Sequence, residues 1–196
     1  MRQVAESAWK EIETLPESVR EQIHLLPRMP IEIIACPLGK EVNHGGILRI
    51  AEAFRLERVT LSREEDEAED FSGHRGAVKW QPHCWQSPYT ALEEAKGRQK
   101  IALTLTDQAV NFEDVDFQFP VTLVVGSEAQ GIPSDLVAQC DLVVAIPMFG
   151  LMGSLNVATA TAIVIQKMAS QYARLNGFEA IRDESKQLLT GDRRSQ

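Results

Sequence analysis

Apolar residues recur at helical spacing near the start of the chain, with Val4, Ala8, Ile12 and Leu15 before Pro16 and Val19, Ile23 and Leu26 after it. That pattern predicts two short helices broken at the proline, an N-terminal extension over residues 1–30. A β-branched apolar run over 31–36 predicts the first core strand. Ile47, Leu48, Ala51 and Phe54 return to helical spacing within 45–56, and 58–62 reads as a second strand, completing one βαβ unit. Apolar runs over 101–105, 121–125 and 142–146 predict three more strands, with short helical pieces around 89–95 and 136–140. The longest predicted helix covers 154–175, and a polar extension follows over 176–196, with a further helical turn or two around 181–189.

Strands alternating with helices predict an α/β fold with a largely parallel sheet covered on both faces, the arrangement in which ligands bind at the carboxyl ends of strands. Three turns stand at such ends: Thr106-Asp107, the stretch from Gly126, and the two-glycine stretch 146–157 that launches the long helix. They are expected to converge on one crevice.

Composition narrows the classes. The chain has 196 residues, 44% of them apolar, enough for one core over 31–175. Three cysteines, Cys36, Cys84 and Cys140, are odd in number and widely spaced, which speaks for a reducing, cytoplasmic setting and against a disulfide framework. No basic start with an apolar run marks a secretory signal, and the most apolar window, 151–165, is short of the roughly 20 residues needed to span a bilayer. The histidines His24, His44, His74 and His83 have no ligand spacing, so no metal is expected. A net charge of −8 argues against nucleic acid, but six acidic residues sit in the one run 64–70, most simply a solvated loop, which leaves room for a local basic surface.

Three motifs carry candidate chemistry: Asn43-x-Gly45-x-Ile47-x-Arg49, Gly126-Ser127-Glu128-x-x-Gly131, and Ile146-Pro147-Met148-x-Gly150-x-x-x-Ser154-Leu155-Asn156-Val157. Each has a plain alternative. The second is also a tight turn with a capping serine, Ser154 or Asn156 is also a helix N-cap, and Arg49 is also a surface arginine over the core. His44 reads as an exposed loop residue, the one histidine placed to touch a substrate.

Taken together, in this order and at these separations, the motifs resemble those of the SpoU/TrmH family of RNA 2′-O-methyltransferases, within the SPOUT superfamily. Thr106 to Phe112, with the short helical extensions at both ends, resembles the branch that methylates a D-loop guanosine of tRNA. The resemblance implies a SPOUT fold with a C-terminal trefoil knot near Leu105, Gly126 and Ile146. It implies S-adenosylmethionine as cofactor, held at Leu103, Thr104, Gly126, Ile146, Met148 and Leu155, and a homodimer that pairs through the long helix and the first motif. It assigns catalysis to Arg49, with Asn43, Glu128, Ser154 and Asn156 in support. Arg49 is either the base or a clamp for a substrate phosphate, since a guanidinium stays protonated in ordinary surroundings. RNA, tRNA or rRNA, is expected to meet Arg49, Arg55, Arg75, Lys79 and Arg98. A non-catalytic relative that binds RNA or cofactor is the alternative reading.

Overall fold

The computed structural model describes residues 26–63, 73–74, 76–127 and 129–178. The N-terminal helices predicted up to residue 25, the acidic run, Arg75, Glu128 and the extension beyond 178 lie outside the described residues. Arg28–Asn176 form one compact unit.

Its centre is a seven-stranded sheet in which every described pairing is parallel. The strands are β1 (Met29–Ala35), β2 (Leu56–Leu61), β3 (His83–Trp85), β4 (Gln99–Leu103), β5 (Val110–Asn111), β6 (Val121–Val125) and β7 (Leu142–Ala145), in the spatial order β3-β2-β1-β6-β4-β7-β5. The helices are α1 (Glu41–Ala53), α2 (Pro88–Glu94), α3 (Ser134–Val137) and α4 (Val157–Asn176). The α/β class and the parallel sheet are as expected. β3 and β5 were not, because runs of two or three residues are too short to show an alternation.

Both faces are covered, which is why β6 reads Val-Thr-Leu-Val-Val and is buried throughout. On one face Ile34 and Cys36 pack with Ala91 and Leu92 of α2 and Leu136 of α3. Successive side chains along a strand alternate, so Ile31, Ile33 and Ala35 point to the other face, where α1 packs on α4. Gly46 permits that packing: a Cβ there would stand 3.0 Å from the Cβ of Ala158.

One charge is buried in the sheet. Glu32 on β1 accepts from Arg58 Nε at 2.8 Å, pairs with Arg58 Nη2 at 2.7 Å and lies 3.7 Å from Arg98 Nε, with the Thr60 and Thr122 hydroxyls each at 3.4 Å. The carboxylate is thus neutralised and hydrogen-bonded, as a buried ion must be.

Candidate active site

The order of the strands explains the site. β6, β4 and β7 are consecutive neighbours and parallel, so their carboxyl ends lie side by side on one edge of the sheet. The segments that leave them, Thr104-Leu105, Gly126-Ser127 and Ile146 to Met148, border a cavity of about 230 Å³ closed on the α4 side by Ser154, Leu155, Val157 and Ala160. All six residues expected to hold a cofactor line it, as does Ser154. Val125, Ala145 and Ala160 line it too and escaped prediction, although the first two end their strands and so stand at the position that binds ligands in such sheets.

Gly126 sits where nothing larger fits. A Cβ there would press on the Gly131 carbonyl and stand 2.6 Å from the Ile132 amide nitrogen. The turn is held by Gly131 N–H donating to the Ser127 carbonyl at 2.9 Å and Gln130 N–H donating to Ser127 Oγ at 3.0 Å, with Gly131 at φ +67°. The capped tight turn and the pocket wall are therefore one object.

Asn156 combines two roles as well. Its Oδ1 accepts from the Ala158 and Thr159 amides at 3.0 and 3.3 Å and so caps α4, which starts at Val157 and not at Ser154 as predicted. Its Nδ2 donates to Asn43 Oδ1 at 2.8 Å, which joins the first motif to the third across 113 positions of chain. Asn43 is buried, and its Nδ2 has no hydrogen-bond partner.

Arg49 is exposed on α1, without a hydrogen bond or ion pair among the described residues, and does not line the cavity. His44 corrects its expectation: it is buried on α1, its ring edge-on to Trp85 at a centroid distance of 5.2 Å. The cause is α1 itself, which starts at Glu41, four residues before the predicted start.

Among the described residues of the predicted basic surface, Arg55 and Arg98 stand at the end of the sheet opposite the cavity. Arg98 immediately precedes β4, hence at the amino end of the sheet, opposite the cavity, where it is tied to Glu32, Glu57 and Thr122. Arg55 lies in the turn before β2 at that same end, with φ 51°. Lys79 is exposed in a one-turn 3₁₀ helix over Ala77–Lys79 that packs on α1. Among the described residues no group of three or more His, Cys, Asp or Glu side chains is arranged to hold a metal. Burial pushes the Cys36 thiol up to about 12 and the Cys140 thiol up to about 11, which leaves neither as a nucleophile near neutral pH.

A model of the SpoU rRNA Methylase family matches residues 30–166, which include all three motifs. The chain belongs to that family. A SpoU/TrmH relative, the tRNA (guanosine(18)-2′-O)-methyltransferase of Escherichia coli K12, is 29% identical over 167 residues, covering 82% of this chain and 72% of that protein. The TrmH/SpoU tRNA modifying enzyme of A. aeolicus superposes with a TM-score of 0.74 at 26% identity, over 89% of this chain and 94% of its own. The AdoMet-bound rRNA methyltransferase of Sinorhizobium meliloti superposes with a TM-score of 0.64 at 25% identity, over 79% of this chain and 60% of its own. In this SpoU chain the cavity is thus formed by two of the family-like motifs, and the Asn43–Asn156 bond attaches the third.

Proposed function

We propose that the protein transfers a methyl group from S-adenosylmethionine to the 2′-oxygen of a ribose in RNA, a D-loop guanosine of tRNA in particular. The observation that carries this is the cavity at the ends of β4, β6 and β7, built by the family's second and third motifs. Its lining suits the cofactor. Leu103, Val125 and Leu155 offer apolar walls, Thr104, Ser127 and Ser154 offer hydroxyls, and no lysine or arginine among the described residues lines it, so a sulfonium meets no like charge from them. S-adenosylmethionine supplies an electrophilic methyl when bound there. The names of the relatives favour tRNA and the guanosine.

The chain's own residues supply positioning. Ser154, Leu155 and Asn156 form the lip between the cavity and the first turn of α4, where a ribose phosphate meets the positive end of the helix dipole. Arg49 is solvated in this chain, which supports the phosphate clamp over the base; the ribose proton then leaves to that phosphate or to water.

Arg49 does not line the cavity of its own chain, and a homodimer in which a second copy brings Arg49 to the cavity belongs to the same reading. A homodimer also accounts for Phe149, Leu151 and Met152, which are 99%, 106% and 74% exposed beside the cavity. The trefoil knot belongs to the same reading, in keeping with β6 and β7, which follow β4 in the chain, lying on either side of it in the sheet. A cytoplasmic setting fits the free thiols of Cys36, Cys84 and Cys140.

The test is to incubate the protein with methyl-labelled cofactor and mixed tRNA and rRNA, then digest to nucleosides. Label in 2′-O-methylguanosine from tRNA is expected. Label in a base, or none in either RNA, refutes the reading.

A further inference from the structure

We infer that Trp85 and Arg63 form a stacking platform for an unpaired base of the RNA, at the far end of a track that runs from the cavity over the carboxyl ends of β1, β2 and β3. This deepens the proposed function and rests on its RNA substrate.

The direction of the track follows from where the charges stand. β6 borders the cavity, and β1, β2 and β3 follow it in that order across the sheet. Among the described residues, the segments that lead from the carboxyl ends of the strands to the next helix or strand hold two cations, Lys40 after β1 and Arg63 after β2, and both are exposed. In the opposite direction, towards β5, the segments leaving β4 and β7 carry Asp107 and the exposed apolar residues Leu105, Phe149, Leu151 and Met152. A polyanion leaving the cavity is therefore drawn towards β1 and β2.

Two hydrogen bonds hold the platform in register. Ser62 Oγ donates to the Gln86 carbonyl at 2.8 Å and Gln86 N–H donates to the Leu61 carbonyl at 3.0 Å, so the residues just past β2 and β3 are fixed side by side. The Arg63 guanidinium carbon stands 5.9 Å from the centroid of the half-buried Trp85 ring, within cation–π range, and the buried His44 ring meets Trp85 edge-on. Indole and guanidinium planes are the surfaces on which unpaired RNA bases stack, and loops are the part of an RNA that offers such bases. A base suits this place better than a phosphate, because six acidic residues follow Arg63 within 64–70 of the sequence. With neighbouring strands about 4.8 Å apart, Trp85 lies three strands, or about 14 Å, from the β6 wall of the cavity, so the base belongs to a nucleotide flanking the methylated one.

The test titrates the full chain, without cofactor, with a tRNA transcript that carries a D-loop guanosine. The tRNA should quench the tryptophan fluorescence of the parent, and most of that quenching should be absent from Trp85→Phe. By filter binding, Trp85→Leu should raise the tRNA Kd about tenfold, near the lower end for the loss of one stacked base, while Trp85→Phe keeps an aromatic face and should stay within about threefold. Arg63→Gln should raise Kd about threefold with the slope of log Kd against log salt unchanged.

The inference is overturned if Trp85→Leu folds and binds tRNA as the parent does, or if the quenching survives in Trp85→Phe. A salt slope smaller by about 0.7 in Arg63→Gln is the mark of a phosphate contact and overturns the assignment to a base. Should Trp85→Leu fail to fold, the fluorescence of Trp85→Phe and the change at the exposed Arg63 decide the matter. A parent that binds no tRNA refutes the RNA reading and the platform with it; a parent that binds and methylates tRNA, with variants that bind as it does, refutes the platform alone.

Discussion

Gly126→Ala is the sharpest probe of the cavity. The added methyl would meet the Gly131 carbonyl and stand 2.6 Å from Ile132 N, about 1 Å short of ordinary contact, and both neighbours are backbone. No side-chain rotation relieves that overlap. The turn carrying Ser127 must move, and with it one wall of the cavity. Overpacking of this kind costs about 1–3 kcal/mol, and rigid neighbours put this case at the upper end. For a domain of this size that corresponds to a Tm lower by roughly 5–10 °C. Cofactor affinity by calorimetry should fall at least about tenfold, or 1.4 kcal/mol. Gly150→Ala and Gly153→Ala are the controls for stability, because a Cβ at either meets open space, and each should stay within about 0.5 kcal/mol. An unchanged Tm and Kd for Gly126→Ala would show that the turn is not the wall described.

Glu32→Ala removes the buried carboxylate that Arg58 and Arg98 share and should cost about 3 kcal/mol by denaturant unfolding, the low end for a broken buried pair because Arg58 is 39% exposed and can turn to water while Arg98 keeps Thr122 and Glu57; cofactor Kd should not change. Arg49→Ala should leave stability within about 0.5 kcal/mol and abolish methyl transfer, while Arg49→Lys should be inactive at every pH if the planar fork clamps a phosphate, and partly active if a base is what matters. The Cys36 thiol stays neutral in the fold well above its usual 9.0, whereas the unfolded chain ionises there, so its contribution is complete below pH 9 and is lost as pH rises towards about 12. Unfolding at pH 8, 9, 10 and 11 should show an alkaline loss that is smaller in Cys36→Ala, by up to about 1.4 kcal/mol per pH unit.

How much the sequence disclosed depended on the range over which each signal acts. β6 was legible to the residue, since five consecutive apolar or β-branched positions buried on both faces leave no ambiguity. The early start of α1 was not, because Lys40 at its N-cap makes no side-chain capping bond and thus leaves no mark in the sequence. The cavity was legible because its walls are strand ends, fixed once the sheet is parallel. The ties of Arg98 were not legible for the complementary reason: its charge was visible, but its partner Glu32 lies 66 positions away on another strand. The link between Asn43 and Asn156 is likewise a tertiary fact, which no local pattern in either motif contains.

The central claim, transfer to a ribose 2′-oxygen, is tested most directly by two tRNAs that differ in one atom. One carries the D-loop guanosine as ribonucleotide and the other carries 2′-deoxyguanosine at that position, each incubated with the protein and methyl-labelled S-adenosylmethionine. The account predicts stoichiometric labelling of the first, recovered as 2′-O-methylguanosine, and none of the second. Equal labelling of both tRNAs would contradict it.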